Sequence, residues 1–322
     1  MNRIAAALFG ILSLLFFHGS VHAQAYPARS VKIIVPFGTG GPADIYARFV
    51  GAKLSEAMGQ PFLVENRPGA GSIVGTEAVA RSAADGYTLL MMSNTHTVNE
   101  TLIPKKSFEL MRDFAPINGV NYSDLLMVIH PSVPANNLKE FIALAKAKPK
   151  DLNYASSGAG TPYHMAGELF KAMAGVDIVH VPYKGSDGAR TGILGGQVQM
   201  MIDAITTMAP NVRAGKLKAL GTTGNTRSTV LPDVPTLSEA GVPGYQTGIW
   251  LGLMAPAGTP RPILERLNVE IAKVLNAADV RETWGKQGAA PMSMSLAEFD
   301  KFLREDIAKW ANVVKVTGAK VD

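Results

Sequence analysis

The residues best suited to chemistry lie in two glycine- and hydroxyl-rich loops. The first is Gly38-Thr39-Gly40-Gly41-Pro42-Ala43-Asp44, which follows the β-branched run Val31 to Phe37. A proline placed there fits the first turn of a helix. A helix N-terminus offers unpaired N–H groups and partial positive charge, and glycine lets a ligand approach the backbone closely. That is the chemistry of an anion site, or of a tight turn without a ligand. The second loop, Ser156-Ser157-Gly158-Ala159-Gly160-Thr161-Pro162, follows a short strand candidate and also opens a helix. Its hydroxyls and N–H groups suit an anion in the same way. Neither loop contains Lys or Arg, so a carboxylate there would rely on backbone, hydroxyl and water contacts.

Two further side chains lie near these loops in sequence. His164 follows the second loop and either donates to a ligand or caps the loop from inside. Asp203 ends the strand candidate QVQMMI, where ligands meet α/β sheets, or serves as a helix N-cap. Asp44 suits stabilising its own loop and helix dipole. Gly38, Gly40 and Ala43 also match G-x-G-x-x-A, with Glu65 at the end of the next strand, so a dinucleotide site is an alternative. Pro42 weakens it by removing an N–H from the motif. No G-x-S-x-G elbow is present.

The elements that must carry these loops alternate. Strands are expected at Val31 to Phe37, Phe62 to Glu65 and Tyr87 to Met92, with helices after the first two, giving a parallel sheet with right-handed crossovers. A second series runs through Leu125 to Ile129, Asn153 to Ala155, Ile178 to Val181, Gln197 to Ile202 and Leu217 to Thr222. Leu231 to Tyr245 reads as a connector, and the tail as helices, one capped by Thr259 and one opened by the Ser295/Glu298 capping box. The fold class is α/β with two units, so two anion-receptive loops, one per unit, suggest a ligand held between lobes.

Composition narrows the rest. The chain has 322 residues, 47% hydrophobic and 18% charged, values that argue against disorder. Zero cysteine excludes disulfides, thiolate metal sites and a Cys nucleophile. Arg3, an apolar run from Ile4 to Phe17 and small residues at Ala23 and Ala25 describe a secretory signal over 1–25, cleaved after Ala23 or Ala25. Removing Arg3, the one charged residue of that segment, lowers the formal charge from +5 to +4. Later histidines are too widely spaced for a helical metal pair, so no metal or cofactor is expected. No aromatic-basic cluster suggests nucleic acid.

Several motifs resemble the Bug (TctC-type) solute-binding proteins of tripartite tricarboxylate transporters. They are YPARSVKIIVPF at 26–37, GGPAD at 40–44, VENRPGAGSIVGTEAVARSAADGYTLL at 64–90 and GELFKAMAGVDIVHVPYKGS at 167–186. LGGQVQMMID at 194–203, AGKLKAL at 214–220, LPDVPTLSEAG at 231–241 and LMAPAGTPRPILERLN at 253–268 complete them. The resemblance implies a two-lobed type II periplasmic-binding-protein flytrap joined by crossing strands. One lobe comprises 26–126 and 251–322, the other 127–250. It implies a periplasmic, monomeric, non-enzymatic protein that binds a small carboxylate and passes it to membrane permease subunits. Carried over, ligand contacts fall on Phe37, Gly38, Thr39, Gly40, Gly41, Ser93 and Thr95. In the second lobe they fall on Ser156, Ser157, Gly158, Ala159, Gly160, Thr161, His164 and Asp203. Departures occur at Thr39, where the family often has proline, at Tyr163, more often small, and at Ile202, often Phe. Asn94 and Thr97 to Thr101 also differ. Extra hydroxyls, Tyr163 and Phe37 point to a planar or aromatic carboxylate such as terephthalate. The alternative from another class is an exported α/β enzyme using the same cleft.

Overall fold

The computed structural model describes residues 26–320, so the signal expected over 1–25 lies outside the described residues. In the first part of the chain β1 (Val31–Val35), α1 (Pro42–Met58), β2 (Phe62–Asn66), α2 (Ile73–Ala80), β3 (Thr88–Ser93) and α3 (Asn94–Leu102) follow in order. α4 (Leu110–Asp113) and a 16-residue strand β4 (Phe114–Ile129) come next. The middle part holds α5 (Leu138–Ala147), β5 (Asn153–Ser156), α6 (Pro162–Ala174), β6 (Val179–Pro182), α7 (Ser186–Leu194), β7 (Met200–Ala204), α8 (Ile205–Arg213), β8 (Lys218–Thr222) and α9 (Leu237–Ala240). The chain ends with β9 (Gly248–Pro256), α10 (Arg261–Asn276), α11 (Ala278–Gln287), β10 (Ala289–Pro291) and α12 (Leu296–Thr317).

β1 pairs in parallel with β2 and β3, the arrangement that strand–helix–strand crossovers produce. β5 pairs in parallel with β6 and β7 in the same manner. One long strand, β4, joins these sheets. From Phe114 to Asp124, β4 pairs antiparallel with β9; from Leu125 onward it pairs with β7 and β8 instead. The switch of partners within one strand makes two lobes of one continuous backbone, with β9 antiparallel to β3 on its other side.

β9 is buried along its whole length, and its sequence shows the near-continuous apolar run of a strand covered on both faces. Gly252 is required there: a Cβ would lie 2.3 Å from the Phe299 ring of α12. α12 opens with the expected capping box, Ser295 accepting from the Glu298 N–H. It buries Phe299, Leu303, Asp306 and Trp310 along one stripe. Trp310 packs with Val98 of α3 and Met165 of α6, so this last helix touches both lobes. Thr259, expected as a helix cap, instead donates its hydroxyl to Pro256 O at 2.8 Å, and α10 starts two residues later behind Pro260. Among the described residues no helix is long and apolar enough to cross a membrane.

Candidate functional site

Four helices bring their N-termini to one cavity, two from each lobe, and α2 of the first lobe reaches it as well through its N-cap Ser72. α1 follows Gly41 with Pro42 at its first position, and α3 is capped by Ser93, whose Oγ accepts the Thr95 N–H at 3.2 Å. α6 is capped by Thr161, and α7 begins after Gly185. These termini border a cavity of about 450 Å³. Its floor includes Ile249 and Leu251 of β9, and its walls include Phe37, Tyr163 and Tyr183. No aspartate or glutamate is among the lining residues; the charged one is Lys184. Each N-terminus carries about +0.5 elementary charge from its unpaired N–H groups. The electrostatic preference of the cavity is therefore for an anion.

The first loop is braced from its own lobe. Asn66 Nδ2 donates to Phe37 O at 3.1 Å, and Arg48 donates to Asn66 Oδ1 and to Asp44 Oδ1, each at 2.9 Å. Asp44 Oδ2 then accepts the Gly40 N–H at 3.1 Å. Burial opposes ionisation of Asp44, but the Arg48 guanidinium and the Gly40 N–H hold its carboxyl below the usual range. Asp44 thus serves the loop, and the Gly40 N–H is committed to it. Phe37, Gly38 and Gly41 line the cavity, while Thr39 is exposed and, like Gly40, does not.

The second loop is tied internally. Thr161 Oγ1 donates to Gly158 O at 2.7 Å and accepts the His164 N–H at 3.4 Å. Ser156 Oγ accepts the Gly158 N–H at 3.1 Å and lies 2.6 Å from His180 Nε2. His164 Nδ1 accepts the Gly160 N–H at 3.1 Å, and its ring stacks on His180 with centroids 4.1 Å apart. Burial, then the neighbouring His164, pushes His180 down to about 3, so that ring is neutral. Ser157, Gly158 and Thr161 line the cavity; Ser156, Ala159, Gly160 and His164 support it from behind.

Ser93 and Thr95 also line the cavity, and their helix start is held by His96. His96 Nε2 meets Thr76 Oγ1 at 3.0 Å, and burial lowers the ring to about 4. Asp203 lies apart from the lining. It is fully buried, accepts Arg190 Nε at 3.0 Å and accepts the Ala204 N–H at 2.7 Å. Burial raises its carboxyl above the usual range, against the pull of Arg190. Tyr163 turns its ring to the cavity, and burial followed by nearby Asp203 raises its phenol well above the usual range.

Two lining segments escape a search limited to the first two loops. One is Tyr183-Lys184-Gly185-Ser186, a third strand–glycine–helix junction that brings the cavity its cation. The other is Pro68 to Ser72, in which Gly71 adopts φ 61°. Both carry the glycine-before-helix signal that singled out the first two loops. Glu65, the acid of the dinucleotide alternative, is on the outer edge, paired with Arg67 at 2.6 Å and with Lys32 at 3.9 Å.

The family described as "Tripartite tricarboxylate transporter family receptor" (TctC) matches residues 46–319. Protein BugT of Bordetella pertussis is 36% identical, over 100% of this chain and 99% of its own. Among solved structures, R. palustris Rpa4515 with adipate is 34% identical with a TM-score of 0.89, covering 92% of this chain and 100% of that one. MatC from Rhodopseudomonas palustris with bound malate is 35% identical with a TM-score of 0.85, covering 90% of this chain and 100% of that one. With two lobes around an anion-receptive cavity and these relatives along its full length, the chain belongs to the TctC (Bug) family of periplasmic solute-binding receptors.

Proposed function

We propose that this receptor captures a small dicarboxylate between its lobes in the periplasm and delivers it to the permease subunits of a tripartite transporter. The observation that carries the reading is the convergence of four helix N-termini on a cavity without a lining carboxylate. One carboxylate is held by the amides of Gly38 and Gly41 and by the amide and hydroxyl of Ser157, with Gly158 and Thr161 shaping the turn that presents them. The second lies toward Lys184 and Ser186. The apolar walls take the carbon chain, and 450 Å³ falls in the range of small-molecule sites. Adipate in one relative and malate in another support this class.

An aromatic dicarboxylate such as terephthalate is the second reading, favoured by the rings of Phe37, Tyr163 and Tyr183 on the cavity wall. Binding without turnover fits better than catalysis. Ser156 and His180 form the nearest approach to a nucleophile–base pair, yet Ser156 is fully buried and its hydroxyl also serves Gly158.

A thermal-unfolding panel with adipate, malate and terephthalate tests the class. A ligand at 100 times its Kd adds about 2.7 kcal/mol to stability. Stabilisation by adipate or malate alone would dismiss the aromatic reading, and stabilisation by no carboxylate would dismiss both.

A further inference from the structure

Gly40 is gripped from two directions. Its N–H is held by Asp44 of its own lobe at 3.1 Å. Its carbonyl faces Arg190 of α7, in the other lobe, and accepts from both terminal nitrogens of that guanidinium at 3.4 Å. The guanidinium is oriented from behind: its Nε donates to Asp203, whose side chain is 0% exposed, at 3.0 Å. One terminal nitrogen also reaches Asp187 Oδ1 at 3.3 Å. The Arg190 side chain is 16% exposed and is absent from the cavity lining. A buried ion pair is a poor stabiliser compared with apolar packing, so its place within the second lobe, facing the Gly40 carbonyl of the first, calls for another reason.

Gly40 itself is shaped for the contact. It adopts φ 72°, and a Cβ would lie 2.7 Å from the Asp187 carboxylate. Alongside it, a Cβ on Gly38 would lie 3.8 Å from the Gly185 Cα, so the two loops touch backbone to backbone here.

We propose that Arg190 is an interlobe latch: Asp203 aims its guanidinium at the Gly40 carbonyl, fastening the first ligand loop to the second lobe and setting how long a captured ligand stays. Arg190 is a positioning residue, since it acts through the loop and not on the ligand. The proposal rests on the capture reading for its ligand but not for its geometry. A bound ligand leaves only when the lobes part, so weakening the latch acts on dissociation and lowers the closed fraction of the empty protein.

The chain has no cysteine, so Ala57→Cys on α1 and Ala147→Cys on α5, both exposed and on opposite lobes, give a clean pair for spin labels. The interlobe distance is measured without ligand, and adipate association and dissociation rates are measured by stopped flow. Arg190→Gln combined with Asp203→Asn removes the ion pair without stranding a buried charge. Arg190→Lys keeps the charge but loses the fork. Circular dichroism verifies folding of each variant.

The expected result is a shift of the empty protein to longer distances in both variants. Adipate dissociation should quicken roughly tenfold in the double variant, with association changed by less than about threefold. An unchanged distance distribution in the empty variants would overturn the latch, as would dissociation as slow as wild type. A wild-type protein that binds no carboxylate would instead undo the capture reading, and the distance measurement would still decide the latch.

Discussion

Gly41→Ala separates closure of the cleft from folding of the chain. Gly41 adopts φ −83° and ψ 166°, an extended conformation open to alanine. Its position before α1 favours glycine over alanine by roughly 0.5–1 kcal/mol, because alanine is a poor N-cap. Alanine also restricts the unfolded chain, which returns about 0.4–1 kcal/mol. The two nearly cancel, so the melting temperature should move by no more than about 2 °C. Across the cleft the outcome differs. The new Cβ would lie 3.3 Å from Ser186 Oγ of the other lobe, tight enough that the Ser186 side chain, or the lobe that carries it, must give by a few tenths of an ångström. A mild overpacking of this kind costs about 1 kcal/mol, or roughly fivefold in affinity. In a Ser186→Ala background the nearest contact becomes the Ser186 Cβ, at an ordinary 3.8 Å, so most of the fivefold effect should disappear. Calorimetric titration with adipate and thermal unfolding of the four proteins in the cycle measure both quantities. A large fall in melting temperature, or an affinity loss unchanged by Ser186→Ala, would refute the reasoning.

Other parts of the molecule give equally definite expectations. Gly167→Ala would place a Cβ 2.3 Å from the Tyr154 ring, whose hydroxyl is fixed to Glu168 at 2.6 Å, and should cost about 1–3 kcal/mol in urea unfolding. Thr97→Val removes the 2.6 Å donor to buried Asp306, a carboxyl that also accepts Trp250 Nε1 at 3.1 Å, and should cost about 1–3 kcal/mol. His96 and His180 are lowered to about 4 and about 3, so the unfolded chain binds more protons than the folded one below pH ~6.5. Stability from these rings is complete above that pH and is lost as pH falls toward 4; Asp203 and Asp306, raised by burial, act in the opposite sense. Urea unfolding at pH 7 and pH 5 should show the loss, and His96→Gln should flatten the profile. Lys184→Ala should weaken dicarboxylate binding several-fold and reduce its dependence on salt, readable by titration at two ionic strengths.

Much of the scaffold is legible in the residues because its signals are local. Val31 to Val35 is a buried β-branched run, Pro42 starts a helix and Gly59 ends it in the left-handed conformation, at φ 71°. The Ser295/Glu298 box is equally local. The long strands β4 and β9 are harder to see. β9 shows no alternation because both its faces are covered, and only the Leu125–Ile129 end of β4 reads as a strand. The rest of β4 carries Asn118, Asn121 and Ser123, polar groups that are buried only because β9 and the C-terminal segment cover them. Asn118, for example, accepts the Met294 N–H at 2.8 Å, across 176 positions of chain. No local pattern announces such a partner.

The site divides in the same way. Loops before helix starts are visible in sequence, so Gly38, Gly41, Ser157, Gly158 and Thr161 can be chosen from glycine and hydroxyl spacing. The cation Lys184 joins them only through the pairing of β5 with β6, which brings the Tyr183 to Ser186 turn beside the second loop. The partnership of Arg190 with Asp203 likewise depends on α7 folding back over β5, the neighbour of β7, and joins residues 13 positions apart in sequence.

The central claim is that the cavity between the lobes captures a dicarboxylate by its charge. Isothermal titration of the protein with adipate and with its uncharged diamide tests it most directly. The account predicts one adipate bound per chain and no measurable binding of the diamide. Equal binding of the two, or no heat from adipate, malate or terephthalate, would contradict it.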